Sequence, residues 1–477
     1  MKKNFLYVVT IFISICILYA VTKTQTSGYH LTDDHEIIRL VNELSINSTF
    51  SVAKKWINED FGIRFRPLYY FHRVIEAKVF GNNFMAWSLY TSSLLIFSVL
   101  SFFLGMRKLA FSHAASLIFV LLIFIGPQME IWWRLGPNET LGIFFLSLSF
   151  YFLKSKNNKR FIIDSILFSV FLIAASLSKE SFIIVIPSFV FLKITYDKDA
   201  FSLSWIESLQ KNSLLLIPLF LMVAELLFIV LYVGTNKIGY AGVEKTTALV
   251  FVQQFWKVSR AIFNNTLVGV MATYCLLFHG TIYYEAKDTK LLYKLFSRLK
   301  NPLLFAGLLL APNILLHAKS GMFGRYFLPS TVGSAFLLAA VFEAIPEQWK
   351  RLSVSLCVFV LLISKNAVNI SSEAKAFAKE GRENKMLFEA ISNNSSKNSK
   401  IILVADSVNY YEWSFSLMKY AELILDRQIE SKTSGTIQEP DLVISFDKNM
   451  AKDTKLVLYE DVLSPSSRYA VFVKKHK

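Results

Sequence analysis

The chain is poor in the features by which soluble enzymes are usually recognised. It has only 3 cysteines in 477 residues. Cys16, Cys275 and Cys357 each fall inside an apolar run, without metal-ligand spacing, so neither a disulfide framework nor a cysteine metal site is implied. They read as small apolar packing residues. There is no G-x-G-x-x-G and no other nucleotide fingerprint, hence no sign of a nucleotide pocket. No internal repeat is visible. Met1-Lys2-Lys3 and the apolar run 5–21 resemble a signal peptide, but no small-x-small cleavage site follows, so the run reads as a retained first helix with a cytoplasmic N-terminus.

Apolar residues are abundant. They make up 54% of the chain, with 43 Phe, and the mean hydropathy is +0.44. Apolar runs of about 17–25 residues mark membrane spans. The first run and further candidates at 84–105, 110–127, 138–153, 161–178, 181–196, 213–234, 262–284, 302–318, 327–345 and 352–365 give about eleven transmembrane helices. The reading is a polytopic α-helical membrane protein.

The net charge of +16 does not point to nucleic acid. From residue 371 to the end, 16 Lys and Arg face 15 Asp and Glu, so the excess sits in the membrane part. There it falls in alternate short loops, around Arg107-Lys108, Lys154 to Arg160, Lys193 to Lys211, Lys287 to Lys300 and Lys350-Arg351. That side is cytoplasmic by the positive-inside rule. The opposite side receives 23–83, 127–138, 178–181, 235–261 and 318–326, and an odd number of spans puts the C-terminal segment there too.

Residues 1–365 read as the transmembrane domain and 366–477 as a small C-terminal extracytoplasmic α/β domain. Within the latter, 371–392 and 410–426 read as helices and 401–405, 442–446, 456–459 and 469–473 as strands. The first outer loop, 23–83, carries helical periodicity at 36–44 and 67–80, which implies short amphipathic helices along the membrane surface.

Candidate chemistry collects on the outer side. The loop opens on Tyr29-His30-Leu31-Thr32-Asp33-Asp34-His35-Glu36. A structural reading makes Asp33 a helix N-cap with Glu36 completing a capping box. A catalytic reading makes Asp33 or Asp34 a general base at the water–membrane boundary. Arg64 and Arg66, before Pro67, suit a phosphate or lipid head group, or ordinary interfacial anchoring. The turn 126–140 holds Trp132 and Trp133, as interfacial anchors or sugar-stacking faces, and the charges Arg134 and Glu139 as a site wall. Lys179-Glu180 is either a surface ion pair or, through Lys179, a phosphate ligand. Arg325-Tyr326 opens a late span, where Arg325 either meets a phosphate or snorkels. Basic residues gathered on the outer side run against topological habit, and a pocket of acids and phosphate-binding cations accounts for them together.

In this order and placement the chain resembles the GT-C superfamily of integral membrane glycosyltransferases. The resemblance rests on one span, then a long outer loop beginning with Asp33-Asp34-His35-Glu36 and carrying Arg66-Pro67, then many spans with a late Arg325-Tyr326-x-x-Pro329, then a soluble outer domain. It covers roughly residues 1–365. It implies transfer of a sugar from a polyprenyl-phosphate donor to an acceptor hydroxyl on a glycan or lipid-linked acceptor, on the extracytoplasmic side, as in surface glycan or O-antigen modification. It makes Asp34 or Asp33 the base, with Asp34 placed first. Substrate-binding residues would come from Glu36, Arg64, Arg66, Arg134, Glu139, Lys179, Glu180, Arg325 and Tyr326, with the cations holding the lipid phosphate as it leaves. Some members of the superfamily use a divalent metal ion; the stretch here reads Asp-Asp-His-Glu, not D-x-D, so no metal ligand is assigned. The residue usage fits a bacterial inner-membrane protein with its site on the periplasmic side. The competing readings are an O-antigen polymerase or ligase, whose key arginines sit in large later loops, a transporter or flippase, disfavoured because the spans are largely free of charge, and a non-catalytic scaffold.

Overall fold

The computed structural model describes residues 2–155, 159–233, 247–264, 289–320, 324–344, 365–406, 409–432, 440–446, 459–463 and 467–474. It is mostly helical. In chain order the described α-helices are α1 (Lys2–Thr22), α2 (His35–Ile46), α3 (Thr49–Phe61), α4 (Pro67–Phe80), α5 (Phe84–Lys108), α6 (His113–Phe124), α7 (Glu139–Tyr151), α8 (Phe161–Ser178), α9 (Ile186–Phe201), α10 (Trp205–Lys211), α11 (Leu216–Phe228), α12 (Ala248–Asn264), α13 (Thr289–Ser320), α14 (Leu328–Ala344), α15 (Lys365–Asn394) and α16 (Tyr411–Tyr420).

Six described segments are long and apolar enough to cross a membrane: Asn4–Thr22, Phe84–Lys108, Phe161–Ser178, Ser213–Val233, Leu299–Ala318 and Gly324–Ala344. The chain is an integral membrane protein. The spans expected at 110–127, 138–153 and 181–196 correspond to α6, α7 and α9, each shorter than a full crossing at 1.5 Å rise per residue. Their flanks explain this: Pro127–Trp132 and Glu180–Val185 wind as 3-10 helix and add no α-helical length. The spans expected at 262–284 and 352–365 lie, apart from their ends, outside the described residues.

Inside a bilayer, helices associate by packing rather than by the hydrophobic effect, and here phenylalanine does much of the packing. Phe102, Phe119, Phe150 and Phe336, from α5, α6, α7 and α14, are fully buried, and Phe150 meets the other three rings at 5.3 to 6.1 Å. Trp132 and Trp133 join this core at 1% and 6% exposure. The expectation of anchors or sugar-stacking faces is corrected: neither ring is free to do either. The 3-10 turn folds them inward, where the Trp132 carbonyl accepts a bond from the Tyr19 hydroxyl at 3.0 Å.

The loop between α1 and α5 forms α2, α3 and α4, matching the expected amphipathic helices. Ser48 caps α3 by accepting from the Ser51 N–H, and Pro67 starts α4 where a missing N–H costs nothing. Ile37, Leu40, Val52, Trp56, Tyr70, Val74 and Trp87 make their shared core. On the other face of α4, Phe71, Ile75 and Val79 are exposed at helical spacing, the stripe that a helix lying in a membrane surface presents.

The C-terminal segment folds as a five-stranded sheet of order β2-β1-β3-β5-β4, with β1 (Ile401–Val404), β2 (Ile429–Lys432), β3 (Leu442–Ser445), β4 (Tyr459–Asp461) and β5 (Ala470–Lys474). β1 runs parallel to β2 and β3; β5 is antiparallel to β3 and β4. β2 escaped the sequence because Ile-Glu-Ser-Lys is a half-exposed edge strand without an apolar run. Of the expected 456–459 strand only Tyr459, the first residue of β4, lies within the described residues.

This sheet does not stand alone. Tyr29, Leu31 and Ile38 from the first loop share one buried cluster with Leu387, Phe388, Ile401, Leu403, Leu442, Ile444 and Tyr469. The Tyr29 hydroxyl bonds Ser416 Oγ at 2.6 Å, and Asn384 Nδ2 donates to the Tyr29 carbonyl at 3.1 Å. The acidic stretch is clamped between the helical bundle and the C-terminal sheet.

Candidate active site

Between Tyr29 and α2 the chain makes a tight turn. Asp34 N–H bonds the Thr32 carbonyl, and the first α2 amides bond the Asp33 and Asp34 carbonyls. Asp33 adopts φ 65°, a left-handed conformation that Asp tolerates better than most side chains at a cost of about 1–3 kcal/mol. The capping box is not formed. Asp34, not Asp33, is the N-cap of α2, and it makes no side-chain cap bond. Its Oδ2 turns back to accept the His30 N–H at 2.8 Å.

The turn therefore separates the two acids. Asp33 faces a cavity of about 350 Å³, lined also by Glu36, Arg39, Trp56, Asp60, Arg64, Arg66, Tyr69, Tyr70, Asn138, Glu139, Lys179 and Arg325. That volume lies within the range of about 300–1,000 Å³ usual for small-molecule sites. Asp34 is 2% exposed and lines a smaller cavity of about 100 Å³ behind the turn, with His30, Thr32, Arg134, Phe377, Glu380 and Trp413. Burial pushes the Asp34 carboxyl up to about 8 against the pull of the His30 amide and of Arg73 and Arg134, and pushes the His30 imidazole down to about 3. Burial, then the neighbouring Asp33 charge, also raises Glu36.

The cavity wall is closed from the 126–140 turn. The Tyr69 hydroxyl donates to the Gly136 carbonyl at 2.7 Å, and Gly136 packs against Asp33 so closely that a Cβ there would overlap the Asp33 side chain. Opposite, three chain segments converge. Glu139 at the start of α7 pairs with Lys179 at 3.1 Å and approaches Arg325 Nε at 3.9 Å. Lys179 and Arg325 also lie over the Tyr326 ring, at 5.1 and 5.6 Å. One carboxylate thus sits between two cations. Arg66 is held by both Asp60 oxygens and by the Tyr70 hydroxyl at 3.3 Å.

Of the expected site residues, the cavity brings together Asp33, Glu36, Arg64, Arg66, Glu139, Lys179 and Arg325, drawn from chain positions 33 to 325. Asp34, Arg134, Glu180 and Tyr326 are not among its walls. Neither of the two neighbouring sets of charges, Arg134 with Glu139 and Lys179 with Glu180, pairs within itself. Arg134 pairs with Glu130 at 3.4 Å, not with Glu139. Lys179 leaves Glu180 for Glu139, and Glu180 accepts the Phe65 N–H at 3.4 Å. Adjacent residues at helix ends point in different directions, so the pairs suggested by sequence neighbourhood did not form. Asp60, Arg39, Trp56, Tyr69 and Tyr70 were missed. The available signal was Trp56 and Asp60 at i, i+4 on one face of α3. Among the described residues no group of three or more His, Cys, Asp or Glu side chains is arranged to hold a metal ion.

No family model and no curated protein sequence matches this chain. Solved structures do. The crystal structure of ArnT from Cupriavidus metallidurans in the apo state aligns over 99% of this chain and 98% of that one, at 11% identity and a TM-score of 0.51. The fold is GT-C. A second ArnT crystal structure, bound to undecaprenyl phosphate, aligns over 98% of this chain and 97% of that one at 10% identity and a TM-score of 0.49. The likeness in fold extends through the C-terminal segment, beyond the roughly 365 residues on which the sequence resemblance rested.

Proposed function

We propose that this chain is a membrane glycosyltransferase that moves a sugar from a polyprenyl-phosphate donor to an acceptor hydroxyl at the extracytoplasmic face, with Asp33 as general base. The observation that carries the reading is the 350 Å³ cavity in which the Asp33 carboxylate shares the walls with Arg64, Arg66, Lys179 and Arg325. A carboxylate can take the proton of an attacking hydroxyl. Fixed cations stabilise a phosphate as negative charge develops on it in leaving. Both functions are needed in one site for this transfer, and no nucleotide pocket is.

The attacking oxygen bonds the anomeric carbon as the bond to the phosphate oxygen breaks, so a single displacement inverts that centre. Lys179 and Arg325 suit the phosphate best, because they share the single carboxylate of Glu139. Arg66, held by Asp60 and Tyr70, and Arg64 line the same cavity. Asp33 is preferred to Asp34 as base because Asp34 is buried outside the main cavity and retains its proton at neutral pH. The GT-C fold and the exposed apolar stripe on α4 suit a donor whose tail stays in the bilayer while its phosphate reaches the interface.

The test is sugar transfer by the full chain in lipid nanodiscs, supplied with a panel of polyprenyl-phosphate sugars and a lipid-linked glycan extract. Asp33→Asn is expected to lower turnover by about 10²–10⁴ with the protein still folded. Full transfer by Asp33→Asn, or none by the wild type with any donor, would sink the reading.

A further inference from the structure

Resting on that reading, we propose that Glu412 of the C-terminal domain belongs to the transfer site: it holds Asp33 in place and receives the proton that Asp33 takes from the acceptor.

The geometry is direct. Glu412 lies in the first turn of α16, and its Oε1 accepts the backbone N–H of Asp33 at 3.1 Å. Asp33 is the residue held at φ 65°, so the C-terminal domain supplies the acceptor for the amide N–H of the one strained position of the acidic turn. The two carboxyl groups are also within hydrogen-bonding reach of each other. Around this contact α16 is seated firmly on the stretch: the Phe415 ring meets His35 edge-on at 5.1 Å, and Ser416 bonds Tyr29.

The neighbours leave Glu412 as the suited second station. Asp34 accepts the His30 amide outside the main cavity and already carries a proton at neutral pH. Glu36 lies within the cavity wall. Glu412 remains open to solvent, which gives a proton a way out that does not cross the donor. Partial desolvation, then the Asp33 charge, push its carboxyl up to about 7, opposed by the hydrogen bond from the Asp33 amide and by Arg134. The charged groups facing it are therefore Asp33 from the acidic turn and Arg134 from the outer turn, with Asp34, His35 and Glu36 flanking Asp33 on the same stretch.

The step balances without a further reagent. The acceptor O–H bond breaks and its oxygen bonds the anomeric carbon. The carbon–phosphate oxygen bond breaks, and its electron pair stays on the phosphate. The proton passes from the acceptor to Asp33, then to Glu412, then to bulk water. Because the ionised form of Glu412 receives it, turnover is expected to fall as pH drops through about 7.

The experiment compares the wild type, Asp33→Asn, Glu412→Gln and Glu412→Ala as full chains in nanodiscs, with the same panel of polyprenyl-phosphate sugars. Glutamine keeps an oxygen for the Asp33 amide and loses the proton acceptor. Glu412→Gln is expected to lower kcat at least about tenfold, leave KM unchanged and lose the pH limb near 7, while Glu412→Ala also raises KM as the turn loosens. A kcat–pH profile of Glu412→Gln superimposable on the wild type would overturn the relay. A second readout needs no turnover: the carboxyl infrared band that disappears in Glu412→Gln should titrate near pH 7 in the wild type and lower in Asp33→Asn. A band that titrates at the same pH in both overturns the pairing, whatever the transfer assay gives. Full transfer by Asp33→Asn instead removes the transfer reading and the relay with it.

Discussion

Asp33 and Asp34 are joined by one peptide bond and have different surroundings. Asp33 sits on the cavity under Gly136; Asp34 is enclosed with His30 and Arg134. No residue count could have separated them, because the turn at φ 65° decides which carboxylate faces which cavity. The difference can be measured. A buried acid whose carboxyl is raised to about 8 contributes stability while protonated, and loses it as pH rises through that value. Asparagine mimics the protonated form and can still accept the His30 amide. Asp34→Asn is therefore expected to keep at least about a third of wild-type turnover, far from the general-base loss of about 10²–10⁴. Its melting temperature should gain on the wild type as pH is raised from 6 to about 9, as thermal unfolding in detergent would show. A parallel fall of both proteins over that range would place the Asp34 titration elsewhere.

At the scale of elements, the site is built where helices end. The start of α7, the residue after α8 and the turn before α14 deliver Glu139, Lys179 and Arg325 to one point. The order of these segments, the Arg-Pro start of α4 and the amphipathic loop helices were legible, because Pro67, the 3.6-residue periodicity and the apolar runs are local signals. The pairings were not, because they depend on how helix ends meet across forty residues or more. With Glu139 and Lys179 at 3% and 8% side-chain exposure, removing Lys179 leaves the buried Glu139 only the longer 3.9 Å approach of Arg325. Lys179→Met is expected to cost about 3 kcal/mol of stability, and Lys179→Met with Glu139→Gln to recover most of that loss. Denaturation of the three proteins in the same detergent decides it; equal stability of single and double variants would mean that the pair contributes little to holding these ends together.

Over the whole molecule, the sequence suggested two domains, cut near residue 365, because composition shifts there. Composition cannot reveal that Tyr29, Leu31 and Ile38 complete the core of a sheet whose strands begin at residue 401. Residues so far apart in the chain and so close in space should open together. Amides at 29–38 are expected to exchange hydrogen in step with those of β1 and β3, and exchange of 29–38 within seconds while the strands stay protected would contradict the shared core. This arrangement also has a consequence for how the protein is made. The acidic turn leaves the ribosome long before the strands that enclose it. Every helix of the bundle can enter the bilayer before the turn has its partners. A chain interrupted before β5 would lodge in the membrane with its acidic turn lacking the sheet that encloses it.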